Sequence, residues 1–229
     1  MSAEHKQNEI NQMFNHISKD YDLVNSLLTF GIDKFWRKFF IKAIKNDKYP
    51  VILDIACGAG ELGKYLIKFD STKIIGLDPS PKMIEKAKNR YANFKTEYIV
   101  GYAESLPLQD KSVNLITIAF GVRNFADIEK SLSEIYRVLA KNGRCAILEF
   151  TIPSNKIFKF FYLNYLNFVI PVLGGLLSNN IKAYRYLRDS ILEFNKNVIL
   201  NEKLRQKGFS VEKIKPLTGG IVTYYIAKK

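Results

Sequence analysis

Short apolar runs alternate with amphipathic segments through most of the chain. Runs of apolar side chains predict five buried strands, at 51–55, 73–77, 96–100, 113–119 and 144–150. Segments with apolar residues three and four positions apart predict helices between them, at 61–69, 81–91 and 127–139. This alternation is typical of a parallel sheet with helices on both faces.

The two ends of the chain depart from this alternation. A helix at 198–207 precedes strands at 209–217 and 221–227, which are joined by only three residues, 218–220. Because that connection is too short for a parallel crossover, the last two strands must form an antiparallel hairpin. Two helical segments open the chain, and the second, at 33–45, is predicted to pack six side chains inward: Phe35, Trp36, Phe39, Phe40, Ala43 and Ile44.

An apolar, aromatic stretch at 157–177 separates the fifth strand from the last helix. Three polar residues interrupt it, and Pro171 with the Gly174-Gly175 pair predicts a break in the helix. The stretch is barely long enough to cross a bilayer of about 30 Å. We therefore expect a broken helix on or near the main domain, not a membrane span. Its aromatic side chains suit a packed core and an exposed apolar surface equally well.

The predicted fold class is α/β, with a mostly parallel seven-stranded sheet closed by the C-terminal hairpin. A chain of 229 residues is long enough to bury one substantial core. Residues 1–229 are predicted to form a single domain. Within it, residues 1–49 supply a helical lid, and residues 151–196 form a helical insertion.

Charge and cysteine content give little information about the partners and the cellular location of the protein. The net charge of +13 would suit nucleic acid or an anionic membrane surface, but the lysines are spread along the chain, which favours solvated helix faces. Cys57 and Cys145 each lie in or beside a predicted strand, which favours two buried thiols over a disulfide. The polar start has no apolar stretch typical of a secretory signal, so a cytoplasmic location is expected.

The segment after the first strand carries the strongest candidate chemistry. Small residues at Gly58, Ala59 and Gly60 let the backbone turn sharply beside a ligand, and Gly58, Gly60 and Gly63 match the GxGxxG pattern of dinucleotide sites. Asp54 argues against a dinucleotide, because it would place negative charge beside the pyrophosphate. S-adenosylmethionine has no phosphate. Its α-ammonium suits Asp54, and its carboxylate suits the N-terminus of the next helix.

Residues at the ends of the next strands complete a predicted nucleoside site. Asp78 ends the second strand, where a carboxylate can accept hydrogen bonds from both ribose hydroxyls. Ligands of such sheets bind at the carboxyl ends of the strands, where all these motifs fall. Together they match the Rossmann-like sheet of class I S-adenosylmethionine-dependent methyltransferases. Six further cofactor contacts are expected on the two sides of this site, with Glu104 also near the adenine: Pro79, Met83, Tyr102, Ala103, Ala119 and Phe120.

The chain resembles the ubiquinone/menaquinone biosynthesis C-methyltransferase family across nearly its full length. The most specific motifs are the AFGVRN run at 119–124 and the LTGGIV run at 217–222. The resemblance implies S-adenosylmethionine as methyl donor, held at 58–60, Asp78 and the Tyr102-Ala103 pair, with no metal. It also implies a demethylated menaquinol, or a related polyprenyl quinol, as the substrate methylated at a ring carbon.

Two residues depart from the pattern of that family. Ala59 stands where threonine is usual, so only backbone contacts to the cofactor are expected there. Tyr102 replaces the usual Asn or Asp, so stacking on the adenine takes the place of a hydrogen bond to its amino group. We therefore expect a changed affinity for the cofactor without loss of function.

The chemistry requires electron density on the ring carbon, which deprotonation of the adjacent hydroxyl supplies. Arg123 and Asn124 follow the fourth strand and are the catalytic candidates, with Tyr21 as a third, delivered by the N-terminal lid. Arg123 stays charged, so it would stabilise the phenolate or orient a water. Each role has a structural alternative: Arg123 could hold its loop, Tyr21 could be packed core, and Glu149 could be a base or a turn cap.

Other functions and partners remain open at this level. A nucleic acid methyltransferase lacks support, because the fourth strand is not followed by the Asn/Asp-Pro-Pro-Tyr run of amino-directed enzymes. Asp54 weakens an NAD-linked oxidoreductase, and a non-catalytic scaffold in a quinone-synthesis complex is a third alternative. A polyprenyl substrate would make the 157–177 stretch an apolar entry at the inner face of the cell membrane, with peripheral membrane contact. Exposed apolar helices would also suit a homodimer.

Overall fold

A computed structural model of the protein describes residues 26, 28–44, 48–91, 96–178 and 180–229. Within them, one seven-stranded sheet has the order β3-β2-β1-β4-β5-β7-β6, in which β7 runs in the direction opposite to the other six strands. The predicted parallel sheet with its closing hairpin is confirmed. The strands are β1 (Val51–Ile55), β2 (Lys73–Asp78), β3 (Thr96–Val100), β4 (Val113–Ala119), β5 (Leu139–Phe150), β6 (Ser210–Leu217) and β7 (Val222–Lys228).

Helices cover both faces of this sheet. Numbered among the described residues, they are α1 (Ile32–Ile44), α2 (Gly63–Leu66), α3 (Pro81–Arg90), α4 (Ile128–Val138), α5 (Lys156–Asn164), α6 (Ile170–Ser178), α7 (Ile181–Asn197) and α8 (Leu200–Gln206). Ser80 caps α3, as predicted, by accepting a hydrogen bond from the Met83 amide at 3.2 Å. The helix predicted at 61–69 is too long: α2 has four residues, because tight i to i−3 bonds such as Gly63 N to Gly60 O flank a single helical turn.

Side chains of the central strands alternate between two cores. Leu53 and Ile116 point to the face that α4 and α8 cover, whereas Ile52 and Leu115 point to the face that α1 covers.

The prediction for α1 is correct for the position of the helix but partly wrong for which of its side chains are buried. Trp36, Phe40 and Ile44 are buried and Ala43 is half-buried, whereas Phe35 and Phe39 are 49% and 40% exposed. The buried residues lie four apart on one stripe, and the two exposed rings lie one position away from it and contact each other.

The apolar insertion forms one continuous helical stretch, so the predicted break is wrong. A π-helical turn at Tyr165–Val169 joins α5 to α6, and the Ile170 amide bonds to the Tyr165 carbonyl across it. This wider turn directly precedes Pro171 and accommodates its missing amide. Gly174 allows a close approach to α7, since a Cβ there would lie 2.3 Å from the Tyr184 ring. By length and composition alone, the helix at Lys156–Leu177 could cross a membrane.

Candidate active site

A crevice opens at the carboxyl ends of β1, β2 and β4. It contains every predicted cofactor residue except Gly60: Asp54, Gly58, Ala59, Asp78, Pro79, Met83, Tyr102, Ala103, Ala119 and Phe120. Gly60 instead shapes the turn. Its φ of 81° lies in the left-handed region, and a Cβ there would approach the Tyr91 ring to 2.7 Å.

Two buried carboxyl groups lie at the base of the crevice. Burial is the main influence on both, raising the pKa of Asp54 to about 7 and that of Asp78 to about 6. The Thr117 hydroxyl donates to Asp54 at 2.7 Å. Asp78 accepts the amides of Gly58 and Ser80, both at 2.9 Å, and these bonds lower its pKa in opposition to burial. Asp78 therefore ties the glycine turn to the end of β2, a structural role that the sequence did not reveal.

The far wall of the crevice is formed by the segments after β3 and β4. Tyr102 is exposed and presents a ring at the expected adenine end, and Ala103 beside it is buried. Glu104 accepts the amides of Ala126 and Asp127, so it also holds the loop that leads into α4. The Asn124 side chain faces the crevice, and its carbonyl accepts a hydrogen bond from the Tyr186 hydroxyl at 2.9 Å.

The AFGVRN run folds into a tight turn whose backbone is strained. Phe120 has a φ of 61°, a conformation that few residues with a side chain adopt. Its amide bonds to the Leu148 carbonyl at 2.7 Å, and its own carbonyl accepts from Arg123. A Cβ at Gly121 would lie 2.5 Å from that of Ala56, so only glycine allows this turn to approach the glycine loop.

Arg123 is buried and ion-paired. Its side chain is 2% exposed and bonds to Glu149 at 2.8 Å, while Glu149 also accepts the Arg123 and Phe150 amides. The Arg123 side chain contacts the Ser190 hydroxyl as well, at 3.3 Å. This geometry supports the loop-holding alternative, and it leaves Glu149 inaccessible as a base for a substrate. Tyr21, the third predicted catalytic residue, lies outside the described residues.

A second, apolar cavity of about 390 Å³ adjoins the crevice. Its walls come from α1, the helical insertion, α7 and the end of β5, and they include Trp36, Phe150, Tyr162 and Leu166. Arg37 and Phe120 border both cavities. No sequence pattern indicates that Arg37 takes part, because its position depends on how α1 rotates over the sheet.

One polar group in the apolar cavity has no partner in the described part of the chain. The Tyr162 hydroxyl is buried without a hydrogen bond, and burial raises its pKa well above the usual range. A buried donor without a partner costs about 1–3 kcal/mol. The cavity therefore combines apolar walls with a hydroxyl and, at its border, a cationic side chain.

The sheet order, the glycine turn after β1 and the carboxylate at the end of β2 define a class I S-adenosylmethionine-dependent methyltransferase. The chain belongs to the ubiE/COQ5 methyltransferase family, whose family model matches residues 2–229. The resemblance found in the sequence is thereby confirmed.

Relatives of this family match the chain almost end to end. A demethylmenaquinone methyltransferase of Chlorobaculum parvum is 36% identical over 224 residues, which cover 96% of this chain and 92% of the relative. A ubiquinone/menaquinone biosynthesis C-methyltransferase UbiE of Geotalea daltonii is 39% identical over 230 residues, covering 98% and 97%.

Solved structures with the same fold are more distant in sequence. A SAM dependent methyltransferase of Aquifex aeolicus has a TM-score of 0.56 at 18% identity and covers 84% of this chain and 88% of its own. The [4+2]-cyclase SpnF has a TM-score of 0.64 at 14% identity, with coverages of 96% and 94%. Since a cyclase shares the fold, these likenesses establish the fold alone.

Replacing Arg123 with alanine is expected to lower the free energy of unfolding by about 3–5 kcal/mol, because Glu149 would remain buried without a counter-charge. Urea unfolding followed by circular dichroism measures this loss. Arg188→Ala, which removes an exposed pair with Asp189, is the control and should cost at most about 1 kcal/mol. Equal losses in the two variants would contradict a structural role for the Arg123–Glu149 pair.

Proposed function

We propose that this protein transfers a methyl group from S-adenosylmethionine to a ring carbon of a polyprenyl quinol, with demethylmenaquinol as the first candidate. The observation that carries the proposal is the apolar cavity that meets the cofactor crevice at Phe120 and Arg37. A quinol ring placed at this junction would present a carbon to the donor methyl group. The names of the relatives from Chlorobaculum parvum and Geotalea daltonii support the same substrate class.

The crevice residues suit the two ends of the donor. Asp78 still has lone pairs available for ribose hydroxyls, and the Tyr102 ring can stack on adenine. Asp54 lies at the opposite end, beside the glycine turn, where its carboxylate would attract the α-ammonium group. Phe120 closes the crevice between this end and the apolar cavity.

Methyl transfer requires an activated ring. When the hydroxyl adjacent to the reacting carbon loses its proton, that carbon forms a bond to the methyl group as the sulfur–methyl bond breaks. The methylated carbon then loses its proton, the ring becomes aromatic again, and the ring oxygen regains a proton from solvent, so the products are the methylated quinol, S-adenosylhomocysteine and one released proton. We assign positioning roles here: Arg123 holds the Phe120 carbonyl and the turn around it, and Asn124 at the crevice wall is oriented by Tyr186.

Membrane docking would explain how the prenyl tail reaches the cavity. The insertion exposes large apolar side chains on the helices that also line the cavity: Ile157, Phe160, Phe161, Phe168, Val172, Leu173, Leu176 and Leu177. Exposed apolar side chains on a protein with a net charge of +13 suit an anionic bilayer surface. We propose a peripheral location at such a surface, with the insertion as the docking element.

The substrate assignment predicts label transfer in a direct assay. Purified protein incubated with methyl-labelled S-adenosylmethionine and a reduced demethylmenaquinone analogue should yield a labelled quinol, because the ring enters the apolar cavity. Transfer RNA present as a competing substrate should remain unlabelled. Label in the RNA and none in the quinol would reject the proposed substrate class while leaving the methyltransferase assignment intact.

Donor binding should weaken as the pH falls through the pKa of Asp54, near 7, because only the ionised carboxylate attracts the α-ammonium. Calorimetry is expected to show about tenfold weaker binding at pH 5.5 than at pH 7. Asp54→Asn should bind weakly at both values, with any remaining dependence centred near 6, the pKa of Asp78. Methylthioadenosine, which lacks the amino group, serves as the control ligand. If the affinity of wild type for S-adenosylmethionine did not change between about pH 5.5 and 7, the role of Asp54 would be contradicted.

Membrane docking predicts flotation with liposomes that contain anionic lipid. Replacing both Phe160 and Phe168, which are exposed and lie outside the cavity, with serine should reduce the floated fraction several-fold. Ile199→Ser, an exposed apolar residue on another part of the surface, is the matched control. A floated fraction that changes neither when anionic lipid is omitted nor when both phenylalanines are replaced would overturn the docking proposal.

A further inference from the structure

Arg37 has an unusual environment for a helix surface residue. Its side chain is 15% exposed, and its guanidinium lies 5.1 Å from the centre of the Phe120 ring. One terminal nitrogen bonds to Asp33 at 2.6 Å. The Nε atom, however, is buried and has no hydrogen-bond acceptor among the described residues. A buried cationic donor without an acceptor is costly, so an anion bound beside the guanidinium would be stabilising.

The position of Arg37 points to one end of the donor. Arg37 lines the crevice together with Asp54 and Glu61, the acids on either side of the glycine turn. Its positive charge acts on both. Burial dominates the pKa of Asp54 and raises it, and Arg37 opposes that rise. Burial also acts to raise the pKa of Glu61, but Lys64 and Arg90 lower it on balance, and Arg37 adds a smaller lowering effect. Arg37 therefore faces the glycine turn, not the adenine end near Tyr102.

The fold leaves the donor carboxylate without the partner that the sequence suggested. An N-terminus of a full helix was expected there, but α2 is a single turn of four residues. The amides of Gly60 and Gly63 are already bonded to Cys57 and Gly60 carbonyls. A nearby cation would therefore be a strong additional partner for a carboxylate in this part of the crevice.

We propose that Arg37 binds the α-carboxylate of S-adenosylmethionine through the part of its guanidinium that lines the crevice, so that α1 closes the methionine end of the crevice. This inference rests on the proposed function for the identity of the donor. Asp54 and Arg37 then form a pair of opposite charges that matches the ammonium and carboxylate carried by the same carbon of the donor. Asp33, which also accepts a bond from the Thr29 hydroxyl at 3.2 Å, holds the guanidinium in place.

A comparison of two donors tests this assignment by calorimetry. Decarboxylated S-adenosylmethionine lacks only the group that Arg37 is proposed to bind. Wild type should bind S-adenosylmethionine about ten- to a hundredfold more tightly than the decarboxylated form. In Arg37→Gln this preference should disappear through weaker binding of S-adenosylmethionine, with Arg37→Lys intermediate.

The controls separate this contact from other effects. Lys38→Gln removes the same charge from an exposed position on α1 and should keep the wild-type preference. Methylthioadenosine has neither the carboxylate nor the ammonium, so its affinity should be equal in all variants if the crevice remains folded. Thermal unfolding of each variant checks that loss of the Asp33 pair has not disrupted α1.

Three outcomes would overturn the inference. Arg37→Gln could weaken both donors equally, which would make Arg37 a structural residue. It could leave donor binding unchanged but raise the KM for the quinol, which would place Arg37 at a ring oxygen. Wild type could show no preference between the donors. These titrations contain no quinol, so the Arg37 assignment remains valid if the methyl acceptor proves to be another molecule. If wild type bound neither methylthioadenosine nor S-adenosylmethionine, the proposed function would be overturned as well.

Discussion

The hydrogen bonds from the Gly58 and Ser80 amides to Asp78 are the constraint on which the site depends. They join the turn after β1 to the end of β2, so two parallel strands present their carboxyl ends at one fixed level. The same carboxylate is buried, and these amides offset part of the cost of its charge. The Asp78 carboxylate that holds the loop is thus also the group that would bind the ribose. A change at this residue would therefore alter both the shape of the crevice and its contacts to the nucleoside.

The turn around Phe120 is held in a similar way at the border between the two cavities. Its left-handed backbone is maintained by the Leu148 carbonyl on one side and by Arg123 on the other. Arg123 is in turn fixed by Glu149 at the end of β5. A buried ion pair is thus used to hold a strained segment at the place where donor and acceptor would meet.

The sequence predicted what depends on local pattern and failed where distant contacts decide. The strands, the hairpin and the glycine turn follow from periodicity and short connections and were confirmed, except that β5 begins at Leu139, five residues before the predicted start at 144. The break expected at Pro171 was wrong, since a π-helical turn and the packing of Gly174 on Tyr184 keep the helix continuous. The ion pair of Arg123 with Glu149 and the place of Arg37 over the crevice join residues far apart in the chain or depend on helix rotation, and no local pattern encodes them.

The two cavities are built from different parts of the chain. Apart from Arg37, the residues that line the crevice come from the segment between β1 and the turn after β4, whereas most of the wall of the apolar cavity comes from the helices inserted between β5 and β6, together with α1. Among the described residues, only Arg37 and Phe120 line both cavities. Acceptor preference can therefore diverge during evolution by changes in the inserted helices, while recognition of the nucleoside stays under separate selection.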